Sequence, residues 1–152
     1  MAKVKTRIYE VDPNKIIELG FHKESNEVSE SIFSLGNEYM GVRGFLDEGS
    51  SLSSLIGTYY NGIYEYARED TPSAYKGIVK RTHFTINSTN FFKIFLSVDG
   101  IKLDLAEAKI KDFKRVLDLR SGELVRSFIW LVNDNEVSLS FYRLVNMSSP
   151  HE

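Results

Sequence analysis

"FKRVLDLRSGELVRSFIWLVNDNEVSLSFYRLV", residues 113–145, decides the fold class. Leu117 and Leu119 alternate with polar neighbours up to Ser121-Gly122. Leu124, Phe128, Trp130 and Val132 follow at even spacing. Asn133–Glu136 is a turn signal, after which Val137, Leu139, Phe141 and Val145 take up the alternation again. Side chains of a strand point to opposite faces in turn, so a period of two puts these residues on one apolar face. Three such runs joined by short polar turns make an antiparallel meander, the arrangement of a sandwich or barrel.

Upstream, "NFFKIFLSVDGIKLDL" (residues 90–105) repeats the pattern. Phe92, Ile94, Leu96 and Val98 precede Asp99-Gly100, and Ile101, Leu103 and Leu105 follow it. Asp-Gly between alternating runs is a strong hairpin signal, because the turn needs positive φ. The first half is less regular. "KIIELGF" (Lys15–Phe21) and "EVSESIF" (Glu27–Phe33) read as short strands. "SLIGTYYNGIYEYA" reads as a tyrosine-rich strand in which Gly57 and Gly62 mark bulges. "AREDTPSAYKG" (Ala67–Gly77) reads as a surface loop, and residues 106–112 allow one short helical turn at most. The expectation is a mainly β chain, an antiparallel β-sandwich with little helix, forming one domain over residues 1–152.

The stretch "ESIFSLGNEYMGVRG" (Glu30–Gly44) stands out because three glycines and an Asn surround one arginine, Arg43. It lacks the G-x-x-x-x-G-K-[ST] pattern of a phosphate loop. Arg43 has two readings: a bidentate anion contact, or a buried structural arginine bonded to backbone carbonyls beside the glycines. Asp47-Glu48 and Glu69-Asp70 are adjacent acidic pairs, read as solvated loop residues rather than as the acid and base of a glycosidase. The tyrosines Tyr59, Tyr60, Tyr64 and Tyr66 suit core or interface packing, or a platform for sugar rings.

Composition excludes several classes. Lys plus Arg (19) nearly balances Asp plus Glu (21), so no basic footprint for nucleic acid is present. Lys109, Lys111, Lys114 and Arg115 form the densest basic cluster, read as a solvated face. There is no cysteine, hence no disulfide, thiolate metal site or cysteine nucleophile. His22, His83 and His151 show no ligand spacing, so no metal site is expected. No G-x-S-x-G elbow occurs, although a spatial Ser-His-Asp triad would leave no mark in sequence. No apolar run reaches the roughly 18 residues of a membrane span. "MAKVKTRIYEVDPNK" has no apolar h-region, so a cytoplasmic protein is expected, and the sequons at Asn87 and Asn146 read as chance.

Five blocks in order carry a family likeness: "YEVDP" (Tyr9–Pro13), "ESIFSLGNEYMGVRGFLDEG" (Glu30–Gly49), "GTYYNGIYEY" (Gly57–Tyr66), "VDGIKLDL" (Val98–Leu105) and "FKRVLDLRSGELVRSFIW" (Phe113–Trp130). Together they resemble the N-terminal domain of glycoside hydrolase family 65, which includes maltose, kojibiose, nigerose and trehalose phosphorylases. One departure is Glu38, where the family usually has Gly after the Asn. If that position needs positive φ, either Glu38 is strained or Asn37 takes the left-handed conformation.

The resemblance implies a parent enzyme with an N-terminal β-sandwich, an (α/α)6 barrel and a small C-terminal β domain. Its implied reaction is an inverting phosphorolysis with one Glu as general acid and inorganic phosphate as co-substrate and nucleophile, without a cofactor. No helical barrel is legible here, so that Glu is not expected in this sequence. The turn signal Ser148-Ser149-Pro150 near the last residue adds the expectation of a truncated sandwich, inactive alone. The implied partners are the parent's own barrel, a second copy in a homodimer and a small disaccharide, without nucleic acid or membrane. Asn37, Tyr39, Arg43 and Gly44 would then be structural or rim positions, and Tyr59, Tyr60 and Tyr64 possible sugar contacts. Two other readings stand beside this one: a carbohydrate-binding module, and a domain of a trehalose-type hydrolase of the same family.

Overall fold

The computed structural model describes residues 8–67 and 82–149. Most of the expected surface loop Ala67–Gly77, the Glu69-Asp70 pair and His151 lie outside them. The meander is present as expected: β9 (Lys109–Asp118), β10 (Leu124–Val132) and β11 (Asn135–Arg143) pair antiparallel. β2 (Lys15–Leu19) adds to β9 and β1 (Tyr9–Val11) adds to β2, giving a five-stranded sheet in the order β1-β2-β9-β10-β11. A second antiparallel sheet holds β3 (Leu35–Gly36), β4 (Met40–Val42), β5 (Thr58–Ala67) and β6 (Thr82–Asn87). β7 (Ser97–Val98) and β8 (Ile101–Lys102) form a small hairpin.

The turns follow local chemistry. Asp99 and Gly100 both take positive φ (49° and 79°), as a two-residue primed turn requires. Asn133 and Asp134 do the same (47° and 61°), so the turn is tighter than Asn133–Glu136 and β11 begins at Asn135. Asp118 organises the β9–β10 turn: its carboxylate accepts the N–H of Arg120 at 2.9 Å and of Ser121 at 3.4 Å. The Arg120 hydrogen bond, with Lys15 close by, holds the Asp118 carboxyl below its ordinary range.

Three expectations need correction. Residues 27–33 are not a strand. They lie in and just beyond helix α1 (Asn26–Ile32), preceded by a 3-10 turn at Lys23–Ser25. Its buried positions are Asn26, Ser29, Glu30 and Phe33, the i, i+3, i+4, i+7 spacing of one helix face. Polar residues occupy three of those four positions, so no apolar period betrays the helix. Residues 92–96 are not a strand either. The Asn90 carboxamide oxygen caps the N–H of Phe92 at 3.2 Å, and the N–H of Ile94 donates to Asp47 O at 2.9 Å. Third, the basic cluster is not a single solvated face. Asp112 takes positive φ (54°), and the register slips there, so Asp112 and Phe113 together oppose Phe128. This bulge resets the alternation. Ile110, Phe113, Arg115 and Leu117 all turn inward, and Arg115 ends 1% exposed.

The inner face of the five-stranded sheet carries the core. At one end Leu103, Leu105, Phe113, Phe128, Trp130 and Val132 pack with Leu46. At the other, Phe33 below α1 packs on Leu117 and Leu124. Val42, Phe45 and Val145 form a third cluster beside the second sheet. Between these clusters the loop that follows β4, residues 43–49, crosses the inner face.

Candidate functional site

That loop begins with the last two residues of the glycine-rich stretch, Arg43 and Gly44, and three inward arginines hold it. Arg115 on β9 and Arg126 on β10 are register partners, and Arg143 on β11 lies opposite Leu124. All three are buried. A buried charge is tolerable only when paired and hydrogen-bonded, and each of these is. Arg126 grips Glu48 with both terminal nitrogens at 2.5 Å and reaches Asp47 at 3.3 Å. Arg143 donates to the carbonyls of Arg43 (2.7 Å) and Phe45 (3.2 Å), and to the Asp47 carboxylate. Arg115 donates to the carbonyl of Gly44 at 3.3 Å and makes ionic contact with Glu18 at 3.3 Å.

Aromatic faces complete each arginine's surroundings. Arg115 lies over Phe33 and Phe113, Arg126 over Phe141 and Phe128, and Arg143 over Phe45 and Phe92, at 4.2 to 5.7 Å from the ring centroids. Such cation–π contacts contribute about 0.5–2 kcal/mol each. Burial pushes the Arg115 guanidinium down to about 10, with Glu18 opposing the shift.

Glu30 is fully buried and forms no ion pair among the described residues. Its carboxylate accepts from the Asn26 amide (2.9 Å), the Ser54 hydroxyl (2.6 Å) and the N–H of Leu55 (2.6 Å), tying α1 to the 50–55 segment. Glu18 likewise accepts from Ser29 at 2.7 Å. The adjacent pair Asp47-Glu48 is therefore neither solvated nor a free acid–base pair: Arg126 and Arg143 take up both carboxylates.

The singled-out motif residues fall into two places. Asn37 closes the β3–β4 turn: its side-chain oxygen accepts the N–H of Tyr39 and of Met40, both at 2.8 Å. Its amide donates to Asn146 O at 2.7 Å, a long-range tie to the segment after β11. Neither Asn37 nor Glu38 takes positive φ, so the substitution at Glu38 carries no backbone strain. Gly44 stands where no side chain fits. A Cβ there would lie 2.6 Å from the carbonyl oxygen of Phe33, and its N–H donates to Glu30 O at 2.8 Å. Arg43 is half-buried and donates to the Ser31 hydroxyl. The arginines bonded to backbone carbonyls beside the glycines are Arg115 and Arg143, not Arg43.

The tyrosines lie apart from this clamp. Tyr39 and Tyr60 meet at 5.4 Å between ring centroids, and the Tyr59 ring sits over Gly57. Gly62 (φ 83°) marks a wide bulge, beyond which β5 and β6 form a ribbon with exposed side chains on both faces. Tyr64 and Tyr66 lie on one face with His83, while Phe84, opposite Glu65, lies on the other. Tyr64 is thus not brought together with Asn37, Arg43 or Gly44. No cluster of three His, Asp or Glu residues able to hold a metal occurs among the described residues.

The sequence reading missed the arginine row, although its signal was there. Arg115 is in phase with Leu117, Arg126 with Leu124 and Phe128, and Arg143 with Phe141 and Val145. Cations on the apolar phase of three consecutive strands call for buried anions, and Asp47-Glu48 supply two.

Comparison with known proteins agrees with this architecture. Residues 16–152 match the family described as glycosyl hydrolase family 65, N-terminal domain. The maltose phosphorylase of Bacillus subtilis (strain 168) is 34% identical over 145 residues, covering 95% of this chain and 19% of that protein. The alpha,alpha-trehalose phosphorylase of Thermoanaerobacter brockii is 33% identical over 153 residues, covering 98% of this chain and 20% of that protein. A solved structure, "Putative kojibiose phosphorylase from human microbiome", superposes with a TM-score of 0.86 at 57% identity, covering 97% of this chain and 20% of that one. The chain thus spans about a fifth of the length of these relatives. On the match to residues 16–152 and the likeness to these relatives, the chain belongs to glycosyl hydrolase family 65, as its N-terminal domain.

Proposed function

We propose that this chain is the non-catalytic N-terminal β domain, residues 1–152, of a disaccharide phosphorylase. The parent would carry out inverting phosphorolysis of an α-linked glucose disaccharide such as maltose, kojibiose or trehalose, in the cytoplasm. Inorganic phosphate would be the co-substrate, and the catalytic residues would lie in a helical barrel outside this sequence. The observation that carries the reading is the state of the buried acids. Glu30, Glu48 and the half-buried Asp47 are each bound by two or more donors from the fold itself, and Glu18 is held by the Ser29 hydroxyl and an ionic contact with Arg115. General acid–base catalysis needs a carboxyl within reach of substrate and free to exchange its proton. The glycine-rich motif is, on this reading, a clamp that fixes the loop between the layers.

The domain's role is then packing against the barrel and forming the rim of its site, with a homodimer as the assembly. Exposed Ile63, Tyr66 and Phe84 on the ribbon, and Tyr142 and Leu144 at the β11 edge, support such contacts. The same exposed Tyr64 and Tyr66 favour the second reading, a direct carbohydrate contact. The test is an assay of the purified chain with maltose, trehalose or kojibiose plus phosphate, alongside tyrosine fluorescence during sugar titration. The proposal expects no glucose 1-phosphate or glucose above background. Release that tracks protein through purification overturns it, and saturable quenching lost in Y66S supports the second reading.

A further inference from the structure

An open cleft of about 200 Å³ lies between the loop after β4 and the segment that carries the β7–β8 hairpin. Leu46, Ile56, Leu103 and the Phe95 ring give it apolar walls. Lys93 and Lys102 stand at this ring, their ammonium groups 5.0 and 4.5 Å from its centroid. Neither lysine forms an ion pair among the described residues. The two carboxylates in the cleft wall are already committed. Glu48 is held by Arg126. Asp104 accepts the Ser50 hydroxyl and the N–H groups of Ser51 and Ala106. Burial alone would raise the Asp104 carboxyl, but those donors outweigh it and hold it below its ordinary value. Asp104 therefore stays ionised without a cation, and with the two lysines the cleft keeps a net positive charge. At Asn90, which lines the cleft, the side-chain oxygen accepts from Phe92, which leaves its NH2 group as a donor.

We propose that this cleft binds a phosphate monoester of monosaccharide size. The two lysines and the Asn90 amide supply donors for a dianion, and the apolar walls take the organic part. A neutral sugar would leave both ammonium groups unanswered, and inorganic phosphate alone would leave the apolar walls unused. The inference does not rest on the parent reaction proposed above.

The test is a backbone-amide NMR titration of the 152-residue chain with glucose 6-phosphate, with glucose and inorganic phosphate as separate arms. Isothermal titration calorimetry gives a second readout. Saturable shifts at Gly49, Asn90 and Phe95 are expected, with weaker binding of inorganic phosphate and none of glucose. Lys93→Gln and Lys102→Gln should each weaken binding at least about tenfold, the scale of one charge-assisted hydrogen bond. Arg120→Gln, an exposed cation on the β9–β10 turn, should leave it unchanged. Both lysines are exposed, so circular dichroism should show these variants folded. Absence of saturable shifts, unchanged affinity in both lysine variants, or equal affinity for inorganic phosphate and the ester would each overturn the proposal.

Discussion

Gly44→Ala is the smallest change that probes the clamp. The added methyl would lie 2.6 Å from the Phe33 carbonyl oxygen, 2.8 Å from its Cβ and 2.9 Å from its carbonyl carbon. Two of those three atoms are backbone, so no rotamer change relieves the clash. Either the end of α1 or the loop must move. Forced packing of this kind costs about 1–3 kcal/mol. The movement also strains the Gly44 N–H bond to Glu30 and the Arg115 bond to the Gly44 carbonyl, and weakening each adds about 0.5–1.5 kcal/mol. A total of about 2–6 kcal/mol lowers Tm by roughly 4–24 °C, at roughly 2–4 °C per kcal/mol for a chain of this size. Gly41→Ala is the matched control: nothing lies within 4 Å of its added Cβ and its φ is not positive. It should change stability by less than about 0.5 kcal/mol. Thermal melts followed by far-UV circular dichroism compare the two. A G44A melt within 1 °C of the parent, or equal losses in both variants, would refute the reasoning; the 1 °C margin is about a quarter to a half of what 1 kcal/mol should produce.

Other outcomes follow from the same contacts. Asn37→Ala removes the acceptor for two backbone N–H groups and the tie to Asn146. It should cost about 1–3 kcal/mol by urea denaturation, and a loss under about 0.5 kcal/mol would contradict the capping role. Asp104 has its carboxyl held below the ordinary value of 3.8, so its stabilisation is complete above that pH and fades as pH falls through the folded value. The stability gap between the parent and Asp104→Asn should therefore narrow as melts move from neutral pH to below 3.8; a constant gap argues against the assignment. The exposed β5–β6 ribbon and the β11 edge should make the chain self-associate. Light scattering should show a mass rising with concentration, reduced by Tyr66→Ser and Phe84→Ser, whereas a constant 17.4 kDa excludes it.

The parts of the fold legible in sequence were those where alternation and turn chemistry agree. Asp99-Gly100 and Asn133-Asp134 both mark primed turns, and the Leu124–Val132 run has one uninterrupted phase. Reading failed where polar residues fill buried positions. Asn26, Ser29 and Glu30 occupy the inward face of α1, so a period search on apolar residues passes over it. At Asp112 the phase breaks because a non-glycine residue adopts positive φ, a choice no composition rule flags. The clamp was half legible. Gly44 was marked by its motif, but its cause, the Phe33 carbonyl, depends on the missed helix. The role first considered for Arg43 falls to Arg115 and Arg143, which a reading of the strand phase could have placed on the inner face.

The acids beside the glycine-rich motif are structural partners of the arginine row. A double-mutant cycle on Glu48 and Arg126 tests this most directly, with Glu48→Leu, Arg126→Met and the pair compared by urea denaturation. Arg126→Met strands the buried Glu48 carboxylate and should cost about 3–5 kcal/mol, Glu48→Leu leaves Arg126 only its 3.3 Å contact with Asp47 and should cost about 2–4 kcal/mol, and replacing both charges by apolar groups should recover most of that loss. The predicted result is a coupling of at least about 2 kcal/mol. Single losses under about 1 kcal/mol that simply add in the double variant would show that Glu48 is not bound to the fold, and would return it to the list of candidate catalytic groups.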